Sequence, residues 1–145
     1  MKKILAVLVF LFASTVAAQP VPSTYTPLTP CVFFKGALPA GSTAFLLVRG
    51  SCNVPSSANA VAFVAVAIAP PANGFLRLWE SSLPSAEPIL DYRGGPGNVS
   101  TFALVRLCYP IGECAGEDLA MQSSTSLVVV LKVVGYTEEH HTLAF

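Results

Sequence analysis

The side chains that could do acid–base or metal chemistry are few in this sequence, and they lack the spacing of known catalytic motifs. His140 and His141 are adjacent near the C-terminus, where neighbouring side chains of an extended segment point to opposite faces, so we expect a solvated tail. Glu117 and Asp118 could suggest glycoside or calcium chemistry, but the ligand spacing of a calcium loop is missing, and we expect both to be solvated in a turn. No Gly-x-Ser-x-Gly nucleophile motif occurs. The sequence therefore predicts no catalytic residue, no metal and no cofactor.

The four cysteines are best explained as a disulfide framework. Four cysteines allow three connectivities, and we favour Cys31 with Cys52 and Cys108 with Cys114, because each pair closes a loop that contains turn-forming residues. In the chain-entropy model each closure stabilises the fold by roughly 2 to 3.5 kcal/mol, the longer loop giving more. A zinc site is the alternative, but no Cys-x-x-Cys occurs.

Three aromatic residues could form a ligand platform. The flat rings of Trp79, Tyr92 and Tyr136 would suit the apolar face of a sugar if they lay on one exposed surface. Aromatic residues in a β-protein more often pack in the core, and the sequence alone does not place these rings on a common face.

The N-terminus has the pattern of a secretory signal peptide. Lys2 and Lys3 form a positive region, residues 4–12 are apolar, and small residues at 16–18 form a cleavage site. The apolar run is too short for a membrane span, although a retained anchor helix is the alternative. We expect residues 1–18 to be removed and the product to be secreted, whether periplasmic, at the cell surface or extracellular.

Charged residues are scarce, and those of the mature chain have a slightly negative balance. Without Lys2 and Lys3 the chain holds six basic residues against eight acidic ones, and 53% of the whole chain is hydrophobic. No basic cluster is present to bind phosphates, so nucleic-acid binding and attraction to anionic membranes are disfavoured. A chain this apolar needs a well-covered core or a partner surface.

The elements that must carry these residues are short apolar runs separated by Pro and Gly turns. Residues 60–68 and 75–79 predict a buried central hairpin, joined by a turn at residues 70–74. Further strands are predicted within residues 31–34, 43–49, 89–92, 99–108 and 126–136. We divide the chain into a Pro-rich extended lead-in at 19–30, a folded domain at 31–137 and a flexible tail at 138–145. About seven to eight strands without a helical period predict an all-β fold, an antiparallel β-sandwich.

The order of several motifs resembles a domain found in secreted bacterial proteins, alone or in tandem. After Cys31 these motifs are Leu38-Pro39-Ala40-Gly41-Ser42-Thr43, Cys52-Asn53-Val54-Pro55, Ala58-Asn59-Ala60-Val61, Gly74-Phe75-Leu76-Arg77-Leu78-Trp79, Ala103-Leu104-Val105-Arg106-Leu107-Cys108 and Val130-Leu131-Lys132-Val133-Val134-Gly135-Tyr136. Members usually open with Cys-Arg-x-x-Asp-Thr-Arg and close with an aspartate-bearing strand ending in Gly-Tyr-Phe. This chain departs from that pattern at residues 32–35, at Lys132 and at Thr137. The resemblance implies an extracellular β-rich module and no chemistry.

These observations predict a secreted, non-enzymatic module with a structural or adhesive role at the cell surface or in the periplasm. Its partners would be other proteins or surface polymers, or further copies joined through sheet edges, with no nucleic acid and no integral membrane span. A carbohydrate-binding module is the first alternative. A small outer-membrane β-barrel, suggested by Leu143 and Phe145 near the end of the chain, is the second.

Overall fold

The computed structural model of the protein describes residues 22–109, 114 and 116–139. The predicted signal peptide and the two histidines at 140 and 141 lie outside the described residues. Within the described part of the chain, no helix is long and apolar enough to cross a membrane.

Eight strands form two antiparallel four-stranded sheets, which confirms the predicted β-sandwich. The first sheet has the order β1-β8-β3-β6 and the second the order β2-β7-β4-β5. The strands are β1 (Ser23–Leu38), β2 (Thr43–Leu46), β3 (Ala60–Ile68), β4 (Gly74–Glu80), β5 (Leu90–Tyr92), β6 (Val99–Arg106), β7 (Leu119–Ser123) and β8 (Leu127–Glu139).

The core lies between the two sheets and follows the period of two that strands impose on their side chains. Every second residue of β3 contributes to it, and so does every second residue in the first part of β8: Val61, Phe63, Ala65 and Ala67, with Leu127, Val129, Leu131 and Val133. The second sheet adds Leu76, Leu78, Leu119 and Met121 from β4 and β7. Because β3 and β8 are the two inner strands of the first sheet, the most apolar runs of the sequence occupy its centre.

The predicted central hairpin is wrong, because β3 and β4 belong to different sheets. β3 pairs with β6 and β8, whereas β4 pairs with β5 and β7. Ala69 has a φ of 38°, and Pro70 and Pro71 follow it without N–H groups that could continue a ladder. The segment therefore carries the chain across the core instead of folding it back beside β3.

The first sheet extends beyond the range expected for the folded domain. β1 begins at Ser23, inside the predicted lead-in, and pairs along β8 as far as Glu139. Pro27 and Pro30 are tolerated because β1 is an edge strand, where a missing N–H need not interrupt a ladder. The register shift between Pro27 and Cys31 absorbs the irregularity. The folded unit thus includes residues 23–30 and 138–139.

The sequence does not predict β7. Leu119–Ser123 reads Leu-Ala-Met-Gln-Ser, which lacks the β-branched and aromatic residues typical of strands. Its pairing with both β2 and β4 stabilises it in the middle of the second sheet. Tertiary contacts therefore decide its conformation.

Both predicted disulfides are confirmed. Cys31 in β1 is bonded to Cys52 in the loop after β2, with the Cα atoms 5.7 Å apart. Cys108, just after β6, is bonded to Cys114, again with 5.7 Å between the Cα atoms. The Cys31–Cys52 bond links the first sheet to the loop after β2, which is a strand of the second sheet.

Candidate interaction surface

The outer face of the first sheet carries apolar side chains where solvated residues would be expected. An antiparallel sheet packed on one side usually presents polar residues on the other. Here Phe102 is 61% exposed, Leu104 is 55% exposed and Val128 is 41% exposed. We call this surface the apolar face and define it by seven exposed or half-buried residues: Val32, Val64, Val66, Ile68, Phe102, Leu104 and Val128.

The strand register makes the apolar face continuous. Phe102 lies opposite Val64, Val64 lies opposite Lys132, and Lys132 lies opposite Val32. Directly opposed side chains have Cβ atoms about 5 Å apart and contact each other. One such row therefore crosses all four strands, a width of about 14 Å at the usual strand spacing.

The charge on the apolar face is positive. Lys35, Arg106 and Lys132 lie on β1, β6 and β8, each beside apolar members of the face. β1, β3 and β6 contain no acidic residue, and the two acids of β8 are its last residues, Glu138 and Glu139. The surface thus combines apolar area with three cations and offers little repulsion to an anionic partner.

A depression of about 440 Å³ adjoins one end of the apolar face. Ile68 and Val128 belong to both the depression and the face, and Pro39 and Pro71 also line the depression. Its lining is mostly apolar and it is open to solvent. A hydrophobic side chain from a partner could insert there while neighbouring groups cover the strands.

The outer face of the second sheet is different in character. Its cross-strand row of Thr43, Gln122 and Arg77 is polar, and Asp91 is exposed on the edge strand. Phe45, 53% exposed, lies on this side opposite Ala120, which lies opposite Trp79, so an apolar row runs beside the polar one. The mixed chemistry of this second face makes it a natural internal control for the first.

The three aromatic residues predicted as a ligand platform share no exposed face. Trp79 is buried, and its indole Nε1 donates to the carbonyl oxygen of Leu83 at 3.1 Å. Tyr92 is buried in the core, with its hydroxyl 2.7 Å from the Oγ of Ser123. Tyr136 lies in the other sheet and packs half-buried against the core. The rings are placed as core and packing residues.

The expectation that Glu117 and Asp118 are both solvated is wrong for Asp118. This carboxylate is buried and accepts hydrogen bonds from the backbone N–H groups of Val48 and Arg49, each at 2.8 Å. It also forms an ion pair with the guanidinium of Arg49. A buried charge is tolerated when a partner charge and further hydrogen bonds satisfy it.

Arg49 uses its remaining donors on backbone carbonyls. Its Nε and Nη2 donate to the carbonyl oxygen of Ala58 at 3.1 and 2.9 Å, and its Nη1 donates to that of Cys108 at 3.2 Å. The pair thereby joins the loop after β2, the start of β3 and the end of β6. The arrangement is structural, because these bonds engage the guanidinium within the protein.

No set of three or more His, Cys, Asp or Glu side chains suited to a metal ion occurs in the parts of the chain that the structure describes. The acid–base chemistry suggested by the consecutive carboxylates is also absent from the geometry around Asp118, whose oxygens are occupied by Val48 and Arg49.

No family model matches the chain. No curated protein matches it either. Among solved structures, the coat protein dimer of Tobacco streak virus is 9% identical, with a TM-score of 0.44 over 89% of this chain and 94% of that one. A second crystal form of that coat protein is 8% identical, with a TM-score of 0.42 over 88% and 92% of the two chains. These values mark a remote likeness, and the role of the coat protein does not extend to this chain.

Proposed function

We propose that the protein is a secreted, non-enzymatic β-sandwich module that binds a partner through the apolar face of its first sheet. Its role is structural or adhesive, at the cell surface or in the periplasm. The observation that carries the proposal is the exposure of Phe102, Leu104 and Val128 on one sheet face. Contiguous exposed apolar surface of this kind marks interaction sites in proteins that fold as single domains.

The energetics favour a covered face. Each Å² of apolar surface removed from water contributes about 25 cal/mol, so covering these side chains is favourable before any specific contact is counted. Part of that gain is offset by the entropy lost on association. The three cations, Lys35, Arg106 and Lys132, favour a partner that presents anionic groups beside its apolar ones. A surface protein or an anionic surface polymer has this chemistry.

Export is supported by the N-terminal sequence and by the two disulfides. Disulfides form and persist in oxidising compartments such as the bacterial periplasm or the cell exterior. Both cysteine pairs of this chain are bonded, and together they use all four cysteines. The same compartments hold the polymers and proteins to which an adhesive module would bind.

The proposal is tested by sedimenting the oxidised mature protein with cell envelopes of the organism that produces it. We expect the wild-type protein to sediment with the envelopes and a Phe102→Gln, Val128→Gln double variant to stay in the supernatant. Phe45→Gln is the control, because it removes an aromatic residue of comparable exposure, 53% against 61% for Phe102, from the second sheet. Equal sedimentation of the double variant and the wild type would contradict the proposal, as would a wild type that never sediments.

A further inference from the structure

Three of the four edge strands are protected against pairing with another chain, and β6 is the exception. β2 and β5 have only four and three residues. β1 contains two prolines and two register shifts. Short length, proline and bulges are the features by which natural edges resist added strands. β6 pairs with β3 in unbroken register from Val99 to Arg106, contains no proline, and carries its single charge at its last residue.

The backbone direction shows which residues of β6 face outward. At one end of the ladder the N–H of Leu107 donates to the carbonyl oxygen of Asn59, at 2.9 Å. At the other end the N–H of Ala69, just after β3, donates to the side chain of Asn98, just before β6. Backbone groups alternate in direction along a strand, so the odd-numbered residues of β6 bond to β3. The backbone N–H and C=O groups of the even-numbered residues point away from β3, where no described strand pairs with them. These residues are Ser100, Phe102, Leu104 and Arg106.

The sequence of this edge is self-complementary when read antiparallel about Ala103. Phe102 then lies opposite Leu104 of a second copy, and Ser100 lies opposite Arg106 of that copy. On the inner side Thr101 lies opposite Val105, two side chains of nearly equal shape. Phe102 and Leu104 are among the most exposed apolar residues of the described chain, so their pairing covers side chains that otherwise face solvent.

We propose that two copies of this chain associate through antiparallel pairing of their β6 strands, about a two-fold axis at Ala103. The outward N–H and C=O groups of Phe102 bond to those of Leu104 in the second copy, and the reverse pair forms by symmetry. The two first sheets become one eight-stranded sheet, and the two apolar faces become one surface. The pairing uses the backbone edge and does not rest on the adhesive role proposed above.

Charge placement favours this register and sets the expected strength. Arg106 is the only charged residue of β6, and in this register the two arginines are at opposite ends of the ladder, about 20 Å apart at the usual rise per residue. Each arginine faces Ser100, so no like charges oppose each other. One strand pair buries less area than a standard stable interface, so we expect a dissociation constant of about 10 to 100 μM.

The first test is analytical ultracentrifugation of the oxidised mature protein from micromolar to millimolar concentration. We expect a monomer–dimer equilibrium that saturates at twice the monomer mass, because a two-fold contact closes on itself. Leu104→Pro removes an outward N–H without touching the bonds to β3, so it should raise the dissociation constant at least about tenfold. Val128→Lys is the control, because it alters the apolar face on β8 and leaves β6 intact.

A cross-linking test reports the register independently of the proline variant. Ala103→Cys places two thiols at the non-hydrogen-bonded pair on the axis, where opposed Cβ atoms approach within disulfide range. Oxidation should therefore yield a covalent dimer. Thr101→Cys is the matched control, because its two thiols lie about 13 Å apart in this register and should not be bridged.

Three results would overturn the proposal: a monomer at the highest concentration, a dimer that Val128→Lys abolishes, or equal cross-linking by Thr101→Cys and Ala103→Cys. Near-UV circular dichroism shows whether Leu104→Pro is folded. If it is not folded, the comparison of Ala103→Cys with Thr101→Cys tests the proposal in its place. A wild-type protein that dimerises but does not sediment with cell envelopes would contradict the adhesive role and leave the dimer proposal standing.

Discussion

At the scale of single residues, the most consequential contact is one that the sequence does not reveal. Asp118 and Arg49 are 69 residues apart, and neither stands in a motif that would announce a partner. Consecutive acids such as Glu117 and Asp118 are ordinarily solvated, so local reasoning favours exposure. The burial of Asp118 depends on where the loop after β2 meets the strand before β7, which is a property of the fold. Sequence patterns predict faces of strands well and long-range polar partners poorly.

Loss of the Asp118 carboxylate should destabilise the protein strongly. Asp118→Ala leaves the buried guanidinium of Arg49 without its counter-charge and the N–H groups of Val48 and Arg49 without their acceptor. Breaking one side of a buried ion pair costs about 3 to 5 kcal/mol in the free energy of unfolding. Urea denaturation of the oxidised protein measures the change.

The neighbouring acid supplies the control for this prediction. Glu117 has no ion pair among the described residues, so Glu117→Ala should change the free energy of unfolding by less than about 0.5 kcal/mol. If the two alanine variants had equal midpoints in urea, the structural role assigned to Asp118 would be wrong.

At the scale of elements, local sequence patterns predict where strands form, and long-range pairing determines which strands are neighbours. The Val and Ala alternation of β3 and the β-branched run of β8 predict strands because a period of two with branched residues suits a sheet. The pattern does not say which strand lies beside which. The turn between β3 and β4 has the composition of a hairpin, yet it joins two sheets, because both strands bury apolar residues in one shared core. The sequence does not predict the apolar face either, since this face depends on the order of four strands.

The two disulfides should contribute unequally to stability. They are separated by 21 and 6 residues of sequence, and the chain-entropy model gives about 3 kcal/mol for the longer loop and about 2 kcal/mol for the shorter one. We therefore expect Cys31→Ser, Cys52→Ser to lower the free energy of unfolding more than Cys108→Ser, Cys114→Ser. Urea denaturation of the two double variants tests the order, and the reverse order would show that native-state contacts outweigh loop entropy here.

At the scale of the whole molecule, the two outer faces of the sandwich differ in chemistry. The outer face of the second sheet mixes polar residues, Thr43, Arg77 and Gln122, with the exposed Phe45. The first sheet presents apolar side chains and three cations on its outer face, and its β6 edge has open backbone groups. A sandwich with one mixed face and one apolar face can stay folded while it attaches to a partner on one side.

The central claim is that the folded protein exposes an apolar, cationic surface on its first sheet. Titration with 8-anilinonaphthalene-1-sulfonate tests it most directly, because this probe is itself apolar and anionic. We expect the native protein to bind the dye saturably with enhanced fluorescence, and Phe102→Gln, Val128→Gln to abolish most of the enhancement. Lys132→Gln should weaken binding at low ionic strength, and added salt should remove that difference.

Either of two results would contradict this claim. If the native protein failed to enhance the fluorescence of the dye, or if Phe45→Gln on the second sheet reduced the enhancement as much as the double variant, the surface on the first sheet would not be the binding surface and the account would be wrong.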